Sequence, residues 1–260
     1  MKSSVERKGY SKRVDIPTVL LNRLSAGKEE SKTLAEITAI DMKILISRNF
    51  PSIRAKNLSF FEGNAGILKK MKHAAQMVSD EHGYKHHKTL LARDSCDTLR
   101  GIGAFMVGLN PKLTPMQKVK AVTPFAKDPH FGVREWAWMA IRDQIVDDFD
   151  SFYECILPMS KTKDEYTKRF SVESIRPRGV WAAHIKELKD DPSKAVELID
   201  NLFYDESKYI NDSVGNWLND AAKDHPKWVA KKCKEALRLA ERDSKALQYT
   251  VTRATRSIKR

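Results

Sequence analysis

Three acidic residues lie in segments that also contain arginine and tryptophan, and they are the first candidates for chemistry in this sequence. They are Glu135, Glu173 and Asp220. A carboxylate can stabilise positive charge that develops on a sugar, or orient a water molecule for attack, and it needs no metal for either role. Carboxylates in a basic chain would repel a polyanionic ligand unless they take part in its chemistry. We therefore treat all three as candidate catalytic residues. An ion pair between helices or a helix-capping role is the alternative for Glu173 and Asp220.

Arginine and tryptophan residues near these acids could hold a nucleic acid. Arg176 and Arg178 flank Pro177 on a turn that ends a helix. This placement suits contacts to phosphate, and a solvated surface pair is the alternative. Trp181 follows a Pro/Gly break and could stack on a base or a ribose if it is exposed. Packing in the core, or between the two helices of a pair, is the expectation for the other tryptophans considered, Trp136, Trp217 and Trp228.

A related group of residues precedes this segment. The apolar residues between positions 133 and 146 recur at helical spacing and predict one buried face. Arg134, Glu135 and Trp138 fall on or near the edges of another face of the same helix. We therefore include Arg134 and Trp138 among the candidate nucleic-acid contacts.

Motifs of several common enzyme classes are absent from the sequence. It contains no Gly-rich phosphate loop, no H-E-x-x-H, no G-x-S-x-G and no kinase motif. Their absence argues against the usual nucleotide hydrolases, metal hydrolases and serine esterases. His82, His86 and His87 lie near two acids but not at a zinc-ligand spacing, so a solvated loop between repeats is the better interpretation. We expect neither a metal nor another cofactor.

The segments that contain these residues repeat along the chain. Aspartates open similar segments at Asp94, Asp128, Asp164, Asp205 and Asp243, about 34 to 41 residues apart. A loose period of about 40 residues with helical content is typical of HEAT or armadillo helix pairs. No stretch alternates apolar and polar residues convincingly as a strand would. The sequence therefore predicts an all-α fold, an α-solenoid of HEAT-like (armadillo-type) helical repeats with a basic concave face.

Local signals predict where several helices begin. Each repeat aspartate is expected to cap the second helix of its pair, because its carboxylate can accept amide N–H groups that have no partner in the first turn. Thr114 and Gln117 have the form of a capping box. Ser31 or Thr33 is expected to cap a helix whose apolar residues recur at helical spacing over positions 34–45.

The composition indicates a polyanionic partner. The 260 residues include 47 Lys and Arg against 34 Asp and Glu, which gives a formal net charge of +13. A basic protein of this kind most often binds nucleic acid, and a generally solvated basic surface is the alternative. No apolar run approaches the roughly 18 residues of a membrane span, and no apolar segment that would make a secretory signal follows the N-terminus. Three scattered cysteines without C-x-x-C spacing favour a reducing cytoplasm; these are Cys96, Cys155 and Cys233.

We expect one repeat domain over residues 14–260, after a basic arm over residues 1–13. Five Lys and Arg residues face one glutamate in that arm. A disordered or loosely docked terminus is its expected state. The C-terminal part is also basic, with eleven Lys and Arg against three Asp and Glu over residues 227–260.

Two motifs resemble those of a known family. V-E-S-I-R-P-R-G-V-W at 172–181 and S-V-G-N-W-L-N-D-A-A-K-D-H-P at 213–226 are similar to paired motifs of the AlkC branch of HEAT-like-repeat DNA glycosylases. V-R-E-W-A at 133–137 is similar to the preceding repeat of that family. The similarity is strong over about residues 128–230 and diffuse before them. Ser174 stands where the family has glycine, and Gly179-Val180 replaces its usual Leu-Pro, so the turn that places Trp181 is expected to differ.

The resemblance implies a function in the repair of alkylated DNA. It implies cleavage of the N-glycosidic bond of cationic bases such as 3-methyladenine, with double-stranded DNA as the partner and base excision as the repair route. Glu173 and Asp220 match motif acids, and Glu135 matches an acid of the earlier repeat. Trp181 matches a tryptophan that borders the lesion, and the motif arginines are matched by Arg176 and Arg178. The protein is then expected to act as a monomer in the cytoplasm, associated with the nucleoid when bound to DNA, and not at a membrane.

Two other functions fit the residues and stay open at this point. The first is a DNA-binding repeat protein without catalysis that recognises bent, damaged or branched DNA. The second is a protein–protein scaffold, which the net charge and the retained acids disfavour.

Overall fold

The computed structural model describes residues 7–240 and 244–258, except for the side chains of residues 55–57. The described residues form helices, turns and loops, with no strand among them, so the predicted all-α class is confirmed. Every helix in this part of the chain is too short or too polar to span a bilayer. The α-helices, in order, are α1 (Thr18–Ser25), α2 (Leu34–Ala39), α3 (Met42–Asn49), α4 (Ile67–His82), α5 (His87–Leu91), α6 (Asp97–Leu109), α7 (Pro115–Ala126), α8 (Phe131–Ala140), α9 (Arg142–Asp147), α10 (Phe149–Ile156), α11 (Glu165–Ser174), α12 (Lys186–Asp190), α13 (Val196–Leu202), α14 (Lys208–Ala222), α15 (Pro226–Leu239) and α16 (Lys245–Thr255).

The chain packs as two compact units. The first unit comprises the described residues up to Pro111 together with Asp128–Ala140. The second comprises Lys112–Lys127 and the described residues from Ile141 onward. Each unit is described by itself below.

Several predicted helix starts are confirmed. Thr33 caps α2, and Thr114 and Gln117 form a capping box at α7. Asp164 caps α11, where its carboxylate accepts the amide N–H of Thr167 at 2.9 Å. The helix predicted over positions 34–45 is interrupted, because Asp41 caps a new helix, α3.

The other repeat aspartates do not cap helices as expected. Ser207 caps α14. Asp205 lies two positions before this cap, and its carboxylate accepts the Ser207 amide N–H at 2.8 Å. The α6 helix begins after Cys96 without a side-chain cap, so Asp94 does not cap it. Asp128 accepts the His130 amide N–H at 2.8 Å and pairs with an arginine instead. Asp243 lies outside the described residues.

The core of the first unit is built around α6, which is buried almost along its entire length. Two glycines allow α8 to approach it closely. A Cβ atom at Gly101 would lie 2.5 Å from the Trp136 ring, and one at Gly108 would lie 1.8 Å from the carbonyl oxygen of Ala140. Trp136 is buried here, in agreement with the packing role predicted for it.

Buried ion pairs and hydrogen bonds fix the ends of α6 and α8. Arg100 donates from Nε to the Asp128 carboxylate at 2.7 Å and also pairs with Glu30. Asp97 accepts the amide N–H of Ser31 at 2.9 Å and its hydroxyl at 2.8 Å. His130 Nδ1 accepts the Gly132 amide N–H, so Nε2 carries the proton and donates to the Ser31 carbonyl at 2.6 Å. This serine, histidine and aspartate are therefore locked into structural contacts.

The described part of the basic arm contacts α2. Arg7 donates from Nη1 to the buried carboxylate of Glu36 at 2.7 Å and from Nε to Glu29 at 2.7 Å. The amide N–H of Tyr10 reaches Glu36 at 2.8 Å. Residues 1–6 of the arm lie outside the described residues.

The second unit is organised around α14, which packs against α11, α15 and α16. Trp217 on this helix is completely buried, and its indole N–H donates to the carbonyl oxygen of Ile175 at 2.9 Å. Its ring also packs near Trp228, with 6.5 Å between the ring centroids. Both tryptophans therefore take the packing role that the sequence predicted.

Candidate functional site

Glu173 and Asp220 meet at one arginine in the second unit. Glu173 lies near the end of α11, and Asp220 lies near the end of α14. Arg176 follows α11 and donates from Nε and Nη2 to Oδ2 of Asp220, at 2.9 and 2.7 Å. Its Nη1 lies 3.4 Å from Oε2 of Glu173. The ion pair between helices, which the sequence left open as an alternative for these acids, is therefore present.

Each carboxylate has further partners. Ser213 donates its hydroxyl to Oε1 of Glu173 at 2.6 Å, and Lys223 donates from Nζ to Oδ1 of Asp220 at 3.2 Å. Glu173 is only 3% exposed and Asp220 only 4%. Buried charges of this kind are tolerated because they are paired and hydrogen-bonded. Burial disfavours the charge on Arg176, but the nearby carboxylates of Glu173 and Asp220 outweigh it and raise the pKa of the guanidinium.

A second arginine lies beneath this cluster. Arg142, the first residue of α9, is completely buried, and its three hydrogen bonds to described residues all go to backbone carbonyls. Nε reaches Ala183 at 2.8 Å and Nη1 reaches Ser174 at 2.8 Å, while Nη2 donates to Arg176. Burial, with a contribution from the charge of Arg176, lowers the pKa of Arg142 to about 10. The side chain therefore remains cationic near neutral pH.

These carbonyls belong to the two ends of the loop that carries Trp181. The amide N–H of Ile185 donates to the carbonyl oxygen of Pro177 at 3.1 Å and closes the loop. Trp181 has φ +61° and is 50% exposed, and the neighbouring Val180 is 54% exposed. A left-handed conformation is unfavourable for a bulky residue and persists only where the surroundings impose it. Arg142 supplies such surroundings, because it fixes the backbone on both sides of the tryptophan.

Arg178 ties the same loop to the turn between α14 and α15. Its Nη2 donates to both carboxylate oxygens of Asp224, at 2.7 and 2.9 Å. A DNA phosphate would therefore have to share Arg178 with this aspartate. His184, near the end of the loop, has its pKa lowered by burial and by the positive charges of Arg178, Lys189 and Arg142. The imidazole is consequently neutral near pH 7.

The three remaining candidates lie in the first unit, on α8. Trp138 is 2% exposed, and its indole N–H donates to Oε2 of Glu135 at 2.8 Å. Its ring face is therefore packed against protein. Stacking on a base would require a ring face that is exposed to solvent. Arg134 donates from Nη1 to the carbonyl oxygens of Asp128 and Pro129, at 2.7 and 2.8 Å. Both side chains thus have contacts within the protein.

The sequence-based selection missed Arg142, Ser213 and Lys223. Lys223 could have been found, because it lies three residues after Asp220 on the same helix, where side chains are neighbours. Ser213 is buried on the same helix, but it is 40 residues from Glu173 in the sequence, so no local pattern indicates their contact. Arg142 bonds to carbonyl oxygens that are 32 to 41 residues away, and no side-chain pattern marks such partners.

The arrangement can supply electrostatic stabilisation to a cation. Two carboxylates are held in one orientation by Arg176, beside a loop that exposes an indole. Within the described residues no group of three or more potential ligands could hold a metal ion. In the described contacts, Oδ1 of Asp220 is held by Lys223 alone, whereas Oδ2 takes two donors from Arg176. Asp220 Oδ1 is therefore the carboxylate oxygen that the smallest rearrangement, a rotation of the half-exposed Lys223 side chain, would free.

The part of the chain that contains Glu173, Asp220 and the Trp181 loop is similar to a known protein family. Residues 130–245 match the family model described as DNA alkylation repair enzyme. A Bacillus subtilis protein, uncharacterized protein YhaZ, is 33% identical over 115 residues, which are 44% of this chain and 30% of that protein. The chain thus spans less than a third of the length of this relative. The resemblance inferred from the motifs at 172–181 and 213–226 is confirmed over the matched residues.

Two solved structures are similar to the fold. One is the Pseudomonas fluorescens alkylpurine DNA glycosylase AlkC bound to DNA containing an abasic site analog, with a TM-score of 0.65 and 20% identity over 91% of this chain and 64% of that chain. The other is smu.31 from Streptococcus mutans, with a TM-score of 0.53 and 21% identity over 84% of this chain and 100% of that chain. At these identities the similarity concerns the fold. The predicted HEAT-like helical repeat fold is confirmed by it.

Proposed function

We propose that this chain, related over residues 130–245 to the DNA alkylation repair enzymes, binds duplex DNA and hydrolyses the N-glycosidic bond of cationic alkylated bases. The family match supports the repair of alkylated DNA, and the AlkC structure with bound DNA supports DNA as the partner. The single observation that carries the glycosylase reaction is the convergence of Glu173 and Asp220 on Arg176 beside the exposed Trp181 loop.

A cationic base needs little assistance to leave. Alkylation of a ring nitrogen gives the base a positive charge, so the bond to the sugar breaks without protonation by the enzyme. The sugar then carries developing positive charge, which a fixed carboxylate stabilises without metal or cofactor. Asp220 takes this role in our proposal, with Oδ1 facing the sugar after Lys223 turns away. Water attacks the sugar carbon, and the proton that it loses passes to the same carboxylate or to solvent.

Glu173 and Arg176 have positioning roles in this proposal. Arg176 holds Oδ2 of Asp220 with two donors, which fixes the plane of the carboxylate. Glu173 balances the charge of Arg176 and is itself oriented by Ser213. A preorganised group costs no reorganisation energy at the moment of reaction, so this fixed geometry favours catalysis.

Analysis of the bases released from methylated duplex DNA tests the proposal. The wild-type protein is expected to release a cationic methylated base such as 3-methyladenine. Asp220→Asn keeps the shape of the side chain, removes its charge and should lower the release rate by about 100-fold or more, with DNA affinity retained. Lys223→Ala should retain or increase release, because it frees Oδ1. Release that depends on Lys223 more than on Asp220 contradicts the assigned roles.

A DNA-binding function without catalysis is the second candidate. The observation that favours it is the burial of both acids in completed ion pairs. It predicts that the wild-type protein binds bent or damaged duplexes and releases no base from methylated DNA. Binding without release would therefore replace the glycosylase proposal by this one.

A further inference from the structure

The α15 helix has a buried face and a basic face. Val229, Cys233 and Ala236 are buried, on the side where the helix packs against α14 and α16. Cations are exposed on the opposite side. We call these the basic stripe, and they are Lys227, Lys231, Lys234 and Arg238.

The basic stripe is straight along the helix. Its residues follow one another at intervals of four, three and four positions, which places them within about 60° of each other around the helix axis. The first and the last are about 16 Å apart at 1.5 Å per residue. Along a DNA duplex this length corresponds to about five phosphates of one strand.

Over residues 7–240 and 244–258 the cations of the stripe have little compensating negative charge. Among the described residues, Lys231 lies 3.9 Å from Glu235 in an exposed pair, and Lys227, Lys234 and Arg238 form no ion pair. Lys232, on another side of the helix, differs because it pairs with Asp200 at 2.5 Å. Four like charges on one face repel each other weakly in water, and a polyanion would relieve this repulsion.

The stripe begins beside the candidate site. Lys223, which bonds Asp220, and Asp224, which holds Arg178 of the Trp181 loop, are in the turn that leads into α15. Lys227 follows Asp224 by three positions. A phosphate that reaches Arg178 at Asp224 would therefore lie three positions along the chain from the first residue of the stripe.

We propose that the basic stripe of α15 binds the phosphate backbone of duplex DNA and extends the contact outward from the candidate site, an inference that rests on the proposed function. The contact is independent of sequence and of lesion, because phosphates carry no base information. It supplies general affinity for DNA, whereas the Trp181 loop and Asp220 act at the damaged nucleotide.

The test compares two variants that lose the same charge. The stripe variant is K227Q/K231Q/K234Q/R238Q. The control is K69Q/K85Q/K88Q/K120Q, which removes four exposed lysines that do not share a helix face. Binding to an undamaged 20-base-pair duplex is measured by fluorescence anisotropy over a series of salt concentrations, and circular dichroism checks that both variants remain helical.

The stripe variant is expected to bind at least about tenfold more weakly at 0.1 M salt, with the slope of log K against log salt reduced by about three. The control should keep the wild-type slope to within about one. Equal losses in the two variants, or an unchanged slope in the stripe variant, would overturn the proposal. Binding of the stripe to phosphatidylserine vesicles without any effect on DNA binding would also overturn it, in favour of a membrane surface.

The two proposals can fail separately. The stripe is measured on undamaged DNA, where no base is released. If no base is released, but DNA binding has a steep salt dependence that the stripe variant loses, the glycosylase reaction is rejected and the DNA-binding role of the stripe is retained. If the wild-type protein releases the base and the stripe variant binds undamaged DNA as the wild type does, only the DNA-binding role of the stripe is rejected.

Discussion

Removing Arg176 should strongly destabilise the second unit. The guanidinium is the shared partner of two buried carboxylates, at 2.7 Å from Asp220 and 3.4 Å from Glu173. Arg176→Met retains much of the side-chain volume but leaves those carboxylates without their common cation. Breaking a buried ion pair from one side typically costs about 3–5 kcal/mol. Ser213 and Lys223 still bond one acid each, so we expect a loss near the lower end, about 3 kcal/mol at pH 7.

Urea unfolding at pH 7, followed by circular dichroism, measures this loss of stability. Arg178→Met is the matched control, because Arg178 lies on the same loop and its ion pair with Asp224 is partly exposed. That substitution should cost less than about 1 kcal/mol. A loss of stability for Arg176→Met below about 1 kcal/mol at pH 7 would refute the reasoning.

Three further substitutions test individual contacts. Trp181→Gly removes a side chain from a left-handed position, where φ is +61°. Stability should be unchanged or higher by about 1 kcal/mol, while affinity for a duplex that contains a lesion falls by about 1–3 kcal/mol. A large loss of stability would contradict the inferred backbone strain. Gly108→Ala places a Cβ atom 1.8 Å from the Ala140 carbonyl oxygen and should cost at least about 1–3 kcal/mol in urea unfolding, whereas Gly66→Ala, with no atom within 4 Å of the added Cβ, should have a small effect. Arg142→Met leaves three carbonyl oxygens without their donor and should cost at least about 3 kcal/mol by the same measurement; a loss under about 1 kcal/mol would show that solvent replaces the arginine.

Local sequence signals predicted those features of the fold that depend on nearby residues. The caps at Thr33, Thr114 and Asp164 each involve an amide group within three positions, so their residue types were sufficient to identify them. Asp205 and Asp128 look equivalent to Asp164 in the repeat but differ in the fold. All three pair with a distant cation, Asp164 with Lys127, Asp205 with Lys168 and Asp128 with Arg100, but of the three only Asp164 caps the helix that follows it. The repeat period predicts the position of such a residue and not its partner.

The candidate site was predicted in part for the same reason. Motif resemblance selected Glu173, Arg176 and Asp220, and the structure brings these residues together. It gave no indication that Arg142 would fix the loop of Trp181, because the contacts of Arg142 are with backbone oxygens whose positions depend on tertiary packing. The exposure of Trp181 was left open by the sequence, since a tryptophan after a Pro/Gly break fits both a core and a surface position. Its left-handed conformation became visible only with the backbone.

The charge balance of the cluster bears on which bases the proposed reaction would accept. In the free protein Asp220 pairs with Arg176 and Lys223, and Glu173 pairs with Arg176 and with Arg169, whose Nη2 lies 3.7 Å from Oε1 of Glu173. DNA phosphates attract Lys223, whose side chain is half-exposed, and its departure would leave Oδ1 of Asp220 with an uncompensated negative charge. A cationic base and its sugar neutralise this charge at Oδ1, whereas a neutral base does not. The buried ion pairs are therefore compatible with catalysis, and they favour cationic over neutral lesions because only the former replace the lysine that binding displaces.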